Sequence, residues 1–263
     1  MTAALRRACL GAAGLVLLFG AAQLALWAGG VSPATFPLPS SILSSAADLA
    51  RNGSFLASVG STMEIWAEAM AVTVILAVPA GLLLGSLALV ESATRPLIEF
   101  VRPVPAVVLV PLVLLIVQDD VRTEVVVVVL ASVWPVLINT VYGVRNVEPL
   151  AKETLRAFGF GPLSVAIRVS LPSTAPFIAT GVRIAASFAF VVAVAVELIG
   201  TGMPGIGAFA AQEQNGTGNM AVMIAVALWS GLIGLAVNGM FAATERQLFG
   251  WHFALTGTAG GQP

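Results

Sequence analysis

Charge is the scarcest property of this chain. Only 10% of its 263 residues are Asp, Glu, Lys or Arg, against 58% hydrophobic residues. A water-soluble domain carries about 25% charged residues. So few charges cannot cover a water-facing surface, so the composition selects lipid as the solvent, in line with a mean hydropathy of +0.98. Cysteine and histidine occur once each, as Cys9 and His252. That excludes a disulfide framework and a dedicated Cys/His zinc site, and no metal or cofactor is expected. The net charge of −1 leaves no basic footprint for nucleic acid. Lysine is also single: Lys152 follows Pro149, Leu150 and Ala151, not the G-x-x-x-x-G of a phosphate-binding loop. No H-E-x-x-H occurs, and the lone histidine has no serine or cysteine partner in view. No catalytic residue is assigned, and no phosphate-binding ATPase motif is encoded.

What the chain does have is apolar runs. A membrane helix needs about 20 mostly apolar residues. Six stretches are predicted to span, at residues 8–28, 65–90, 96–117, 124–142, 176–200 and 220–243. The first follows Arg6 and Arg7 but exceeds the roughly 7–15 residues of a secretory signal core, so it is expected to stay as a membrane helix. The expected fold is all-α and polytopic. Residues 1–30 form a tail and first span, and 31–63 an outer segment with a short surface helix around 41–52. Residues 64–246 form the core with a loop at 144–172, and 247–263 a tail.

Orientation follows from the loop cations. With the N-terminus inside, the inner side holds Arg6, Arg7, Arg95, Arg102, Arg145, Lys152, Arg156, Arg168, Arg183 and Arg246, and the outer side only Arg51 and Arg122. Both termini are therefore expected on the cytoplasmic side, and 144–172 is the largest inner loop between spans.

That loop contains "ETLRAFGFGPLSVAIRVSLP", residues 153–172. Glu148-Pro149 suits a helix start, with proline in the first turn. Gly159 and Gly161 break that helix, Pro162 starts a second, and Leu171-Pro172 is expected to end it. Two short amphipathic helices meeting at a glycine corner, flanked by Phe158 and Phe160, suit a groove in a partner. A helix pair lying on the membrane surface fits the same pattern.

The segment resembles the EAA loop of ABC-importer permeases: Glu153, Gly159 and Leu171-Pro172 stand at that motif's spacing, with Thr154-Leu155 where it has two alanines and Val169 in place of its Ile. "RPVPAVVLVPLVLLI", "TGVRIAASFAFVVAVAVELIG", "GMPGIGAFAA" and "FPLPSSILSSAADLARNGSFLASVGSTM" resemble the subfamily that imports nitrate, sulfonates, taurine and related small solutes, so the likeness runs from about residue 36 to 246. The resemblance implies a permease in the bacterial inner membrane that is not itself an enzyme. Its partners would be cytoplasmic ATPase subunits, an extracytoplasmic solute-binding protein, a second copy of the permease in a homodimer, and membrane lipid. It also implies that Glu153, Arg156, Ala157, Phe158, Gly159, Phe160, Gly161, Leu163, Leu171 and Pro172 dock the ATPase. A secondary carrier is the competing class, for which charges near the midplane and inverted repeats are expected.

Candidate pathway or gate residues are Glu64 and Glu68, where relatives often carry a basic residue, together with Pro111, Pro135 and Glu197. A carboxylate such as Glu197 in a span is a functional candidate, unless it reaches outer-interface water from the helix end. Arg183 is expected to extend to the inner interface, and Glu99 to pair with Arg102. Gly81, Gly85, Gly231, Gly234 and Gly239 are expected to allow close helix packing. Gly200-x-Gly202-x-x-Gly205 follows a membrane helix rather than a strand, so it reads as an outer loop and not a nucleotide fingerprint.

Overall fold

The computed structural model describes residues 3–29, 36–200, 202–216 and 218–255. Among these no strand occurs. The side chains of Cys9 and His252, residues 30–35 of the outer segment and the end of the tail lie outside what is described. The helices are α1 (Ala3–Ala28), α2 (Pro39–Leu49), α3 (Gly53–Ser86), α4 (Ala88–Val101), α5 (Val110–Val117), α6 (Asp120–Arg145), α7 (Pro149–Ala157), α8 (Pro162–Val165), α9 (Leu171–Ile199), α10 (Ile206–Gly216) and α11 (Met220–Leu255). A 3₁₀ turn (Ala106–Leu109) precedes α5, and a π turn (Ala166–Ser170) joins α8 to α9.

Among the described residues four helices are long and apolar enough to cross a membrane, and a bent pair makes a fifth if it counts as one span. The apolar part of α1 is shorter, Val16–Ala28. Three boundaries differ from the sequence reading. First, α3 starts at Gly53, not near residue 65, because Asn52 caps it: its Oδ1 accepts the amides of Ser54 and Phe55 at 3.0 and 3.1 Å. The extra turns are held by Phe55, edge-on to Phe209 with ring centres 5.4 Å apart. Second, the third stretch is not straight. Leu89–Val101 and Ala106–Val117 meet at 81°. Between them stand Pro103 and Pro105, each lacking the amide donor that a continuing helix needs; Arg102 is still helical, so the chain leaves the helix after it. Third, Leu171-Pro172 does not end a helix. The chain passes through the π turn into α9 with Pro172 in its first turn. The wider π turn takes up the carbonyl that proline would otherwise clash with.

The core is α3, α6 and α9. In lipid no hydrophobic force drives helices together, so close packing has to hold them. Small residues make the approach possible. A Cβ on Gly81 would lie 2.6 Å from Thr140 Cβ, one on Gly85 2.7 Å from Val144 Cβ, and one on Gly181 2.9 Å from Asn139 Cβ. In α11 only Gly234 is near a neighbour, Phe190, whereas Gly231 and Gly239 face open space. Polar ties cross these interfaces and the one between α11 and α2. Thr73 and Ser132 hydroxyls are 2.7 Å apart, Trp66 Nε1 donates to Ala186 O at 2.9 Å, and Trp229 Nε1 donates to Ala46 O at 2.9 Å.

Candidate functional site

The loop between α6 and α9 is built around Gly159. Its amide donates to Arg156 O at 2.9 Å and the Phe160 amide to Leu155 O at 3.1 Å. That pair of bonds is a Schellman closure with glycine at the left-handed position, and Gly159 has φ +81°. Gly161 then sits extended, Pro162 opens α8, and only Val165 of that helix is buried. The corner projects: α7's main neighbours are α8 and the π turn. Of the sequence candidates, Glu153, Arg156, Ala157, Phe158, Gly159, Gly161, Leu163, Leu171 and Pro172 are exposed, with Phe158 at 78% and Leu163 at 74%. Phe160 differs from Phe158: it is half-buried, with the Arg168 guanidinium 5.1 Å from its ring centre. One aromatic therefore points out, and the other ties the corner together. Lys152 Nζ donates to Val144 O at 3.3 Å. Partial burial and the neighbouring Arg156 hold this ammonium below the ordinary lysine range.

The pathway candidates do not converge. Glu64 and Glu68 are exposed, one turn apart on the face of α3 that bears no core residues, and Pro111 is exposed on α5. Pro135 is half-buried, and its carbonyl accepts Asn139 Nδ2 at 2.8 Å. Pro135 does line a groove of about 610 Å³ between the 103–107 bend, α6 and α9, whose single ionisable lining group is Arg102.

Glu197 lies within the last turn of α9 and is wholly buried, so it does not reach interface water. Its Oε2 accepts the Gly207 amide at 2.8 Å, and the Thr62 hydroxyl and Ile206 amide stand round the same carboxylate. Thr62 also accepts the Ile206 amide at 2.9 Å. Gly205 has φ +141°, and a side chain there would collide with the Glu197 carboxylate. The glycines at 205 and 207 thus make room for a buried acid. Facing Glu197 is Glu124, also wholly buried, from the start of α6. Sequence reasoning took Glu124 only as the edge of a span. The available signal was an acid directly before five valines.

Two expected contacts are replaced. Arg183 does not extend to the interface: its Nε pairs with Glu245 Oε2 at 2.8 Å, and the Thr180 hydroxyl donates to the other oxygen of that carboxylate. Glu245 is buried, at 6% exposed, so a sheltered carboxylate was closer than water. Glu99 pairs with Arg95 at 2.9 Å, not with Arg102, because four-residue spacing aligns the two side chains on the helix face.

Residues 75–250 match the family of binding-protein-dependent transport system inner membrane components. The chain is 32% identical to the nitrate import permease protein NrtB of Leptolyngbya laminosa, over 61% of this chain and 57% of that protein. It is 30% identical to the bicarbonate transport system permease protein CmpB of Synechocystis sp., over 73% of this chain and 66% of that protein. The chain thus spans less than two thirds of the length of either relative. In fold it is similar to a chain of the inward-facing MetNI methionine ABC transporter, with TM-score 0.63 and 16% identity over 74% of this chain and 95% of that one. It is also similar to a chain of an amino acid ABC transporter with histidines, with TM-score 0.57 and 18% identity over 73% and 93%.

Proposed function

We propose that this chain, which belongs to the family of binding-protein-dependent transport system inner membrane components, is the permease subunit of an ATP-driven importer of a small solute. In this reading it lies in the bacterial inner membrane with both termini cytoplasmic, and α1 adds a sixth span to the bent pair and the four long helices. Two copies enclose the pathway, cytoplasmic ATPase subunits dock on residues 153–172, and an extracytoplasmic protein delivers the solute. Hydrolysis takes place on the ATPase subunits.

The observation that carries this reading is the projecting corner at Gly159. Phe158 and Leu163 stand exposed there beside Ile167, at 55%, on a loop with little of its own fold to pack against. Exposed apolar side chains grouped on a projecting corner mark an interaction surface. An ATPase groove that takes Phe158 would turn nucleotide-driven closure into movement of α9, as in a rigid-body switch. The groove beside the bend suits a small anion of the nitrate or bicarbonate kind, because its single ionisable lining group, Arg102, is cationic.

The test is uptake into proteoliposomes containing the permease with its genomically adjacent ATPase and binding protein. The expected result is accumulation of labelled nitrate or bicarbonate that requires internal ATP and the binding protein, with a raised KM in Arg102→Gln. Uptake driven by an ion gradient without ATP would overturn the importer reading in favour of a secondary carrier.

A further inference from the structure

The outer-loop end of the three-helix core buries two acids with no base. Glu124 and Glu197 are both 0% exposed, and they face each other within hydrogen-bonding reach. A carboxylate supplies no donor. Both oxygens of Glu124, and Oε1 of Glu197, accordingly have no hydrogen-bond donor among the described residues. Among the described residues no cation pairs with either acid. From α10 the Gly207 amide donates to Glu197 Oε2, and the Ile206 amide with the Thr62 hydroxyl of α3 that accepts it stands round the same carboxylate. The other charged groups on these elements are Asp120, Arg122 and Arg145 of α6 with Asp119 capping it, Glu64 and Glu68 of α3, Arg183 of α9 and Glu213 of α10; Arg145 pairs with Glu91 and Arg183 with Glu245. The ion pairs found among the described residues lie elsewhere, at Arg95–Glu99, Arg145–Glu91 and Arg183–Glu245.

Two negative charges cannot share a dry site unaided, because neither their mutual repulsion nor their lost hydration is offset. The arrangement is also built rather than accidental. Glycine stands at 205 and 207, where any side chain would strike Glu197 or the α9 backbone. Glu197 is oriented by amide donors, while Glu124 is presented to it bare. We propose that Glu124 and Glu197 form a buried binding site for one monovalent cation, a proton or an alkali-metal ion, held between their carboxyl groups and tying α6 to α9. The site rests on the fold and not on the transport reading, so either can fail alone.

The experiment uses the full-length chain in lipid nanodiscs. Thermal unfolding is followed in sodium, potassium and choline chloride at constant ionic strength, and across about pH 5 to 9. Infrared spectra are searched for the C=O stretch of a protonated carboxyl. The comparison variant is Glu124→Gln, whose amide removes one charge and offers Glu197 a donor. If the ion is a proton, the wild type carries the protonated-carboxyl band, loses stability as pH rises and ignores the choice of salt; Glu124→Gln lacks the band and the pH response. If the ion is an alkali metal, sodium or potassium raises the unfolding temperature over choline in the wild type only, and the band is absent. Wild type with no band, no cation preference and the pH profile of Glu124→Gln would overturn the proposal. Should that variant fail to insert, Glu197→Gln replaces it. The wild-type salt series and infrared spectrum decide the matter in either case.

Discussion

Replacing Gly159 separates conformational from steric effects at the proposed docking corner. A Cβ placed there meets nothing within 4 Å, yet φ is +81°. The cost of a side chain is therefore backbone strain alone, about 1–2 kcal/mol for an ordinary L-residue in the left-handed region. Asparagine tolerates that region better. Little packing surrounds α7, so the free loop can relax to relieve the strain and must be re-strained on docking. With about 1.4 kcal/mol per tenfold in affinity, Gly159→Ala should weaken ATPase binding by roughly 5- to 30-fold, and Gly159→Asn by much less. Gly159→Trp should abolish binding by filling the space the partner needs. The assay is titration of purified ATPase subunits onto permease nanodiscs, with the unfolding temperature of each permease variant measured alongside. Equal affinities for Ala, Trp and wild type would refute the docking role of the corner. Affinity losses that track lost permease stability would refute the strain argument, since the defect would then lie in the fold.

Three further outcomes follow from the packing and charges. Gly181→Val should destabilise the core by about 1–3 kcal/mol through overpacking, because its Cβ would sit 3.0 Å from Pro135 O; Gly231→Ala, facing open space, should be neutral in the same unfolding assay. Arg183→Gln should cost about 1–3 kcal/mol by leaving the sheltered Glu245 carboxylate short of its cation, and Arg183→Gln with Glu245→Gln should recover most of the loss in a double-mutant cycle. Lys152 has a depressed pKa, so the unfolded chain binds more protons across that range and loop stability should rise as pH climbs through it; hydrogen exchange of residues 149–157 should report that rise, and Lys152→Met should remove it.

The helix class and the position of the projecting loop were legible because apolar length and glycine-proline punctuation are local signals. Gly159 read as a corner from its spacing alone, and its Schellman geometry is the physical form of that reading. What local pattern could not give was pairing. Glu99 has basic residues at both i−4 and i+3, and only the three-dimensional helix chooses Arg95. Arg183 had an escape route to water in one dimension, but Glu245 waits 62 residues further along on α11. Glu124 is the clearest case. Its partner Glu197 is far away in sequence, so an acid that looks like a helix edge is in fact core. The 103–107 bend was missed: 96–117 read as one span, although Pro103 and Pro105 stand where the two helices meet at 81°.

One element connects the two ends of the molecule. α9 runs 29 residues, roughly 40 Å at 1.5 Å per residue, from the π turn behind the glycine corner to Glu197. Along that length it is interlocked with α6 at Gly143, which faces Phe177 and Thr174, and at Gly181, which faces Asn139. Contacts this close leave little room for sliding, because the atoms already touch at backbone range. Displacement of α9 at its loop end must therefore carry α6 with it, and the Glu124–Glu197 pair joins the same two helices again at the far end. Compliance is left to the junctions: the π turn at 166–170, where the lever meets α9, and the 81° bend before Ala106. A loop pushed from outside would thus move a stiff α6–α9 unit past the bend, not deform the unit itself. On that account substitutions at Gly143 or Gly181 should impair coupling even where the loop and its partner surface are intact.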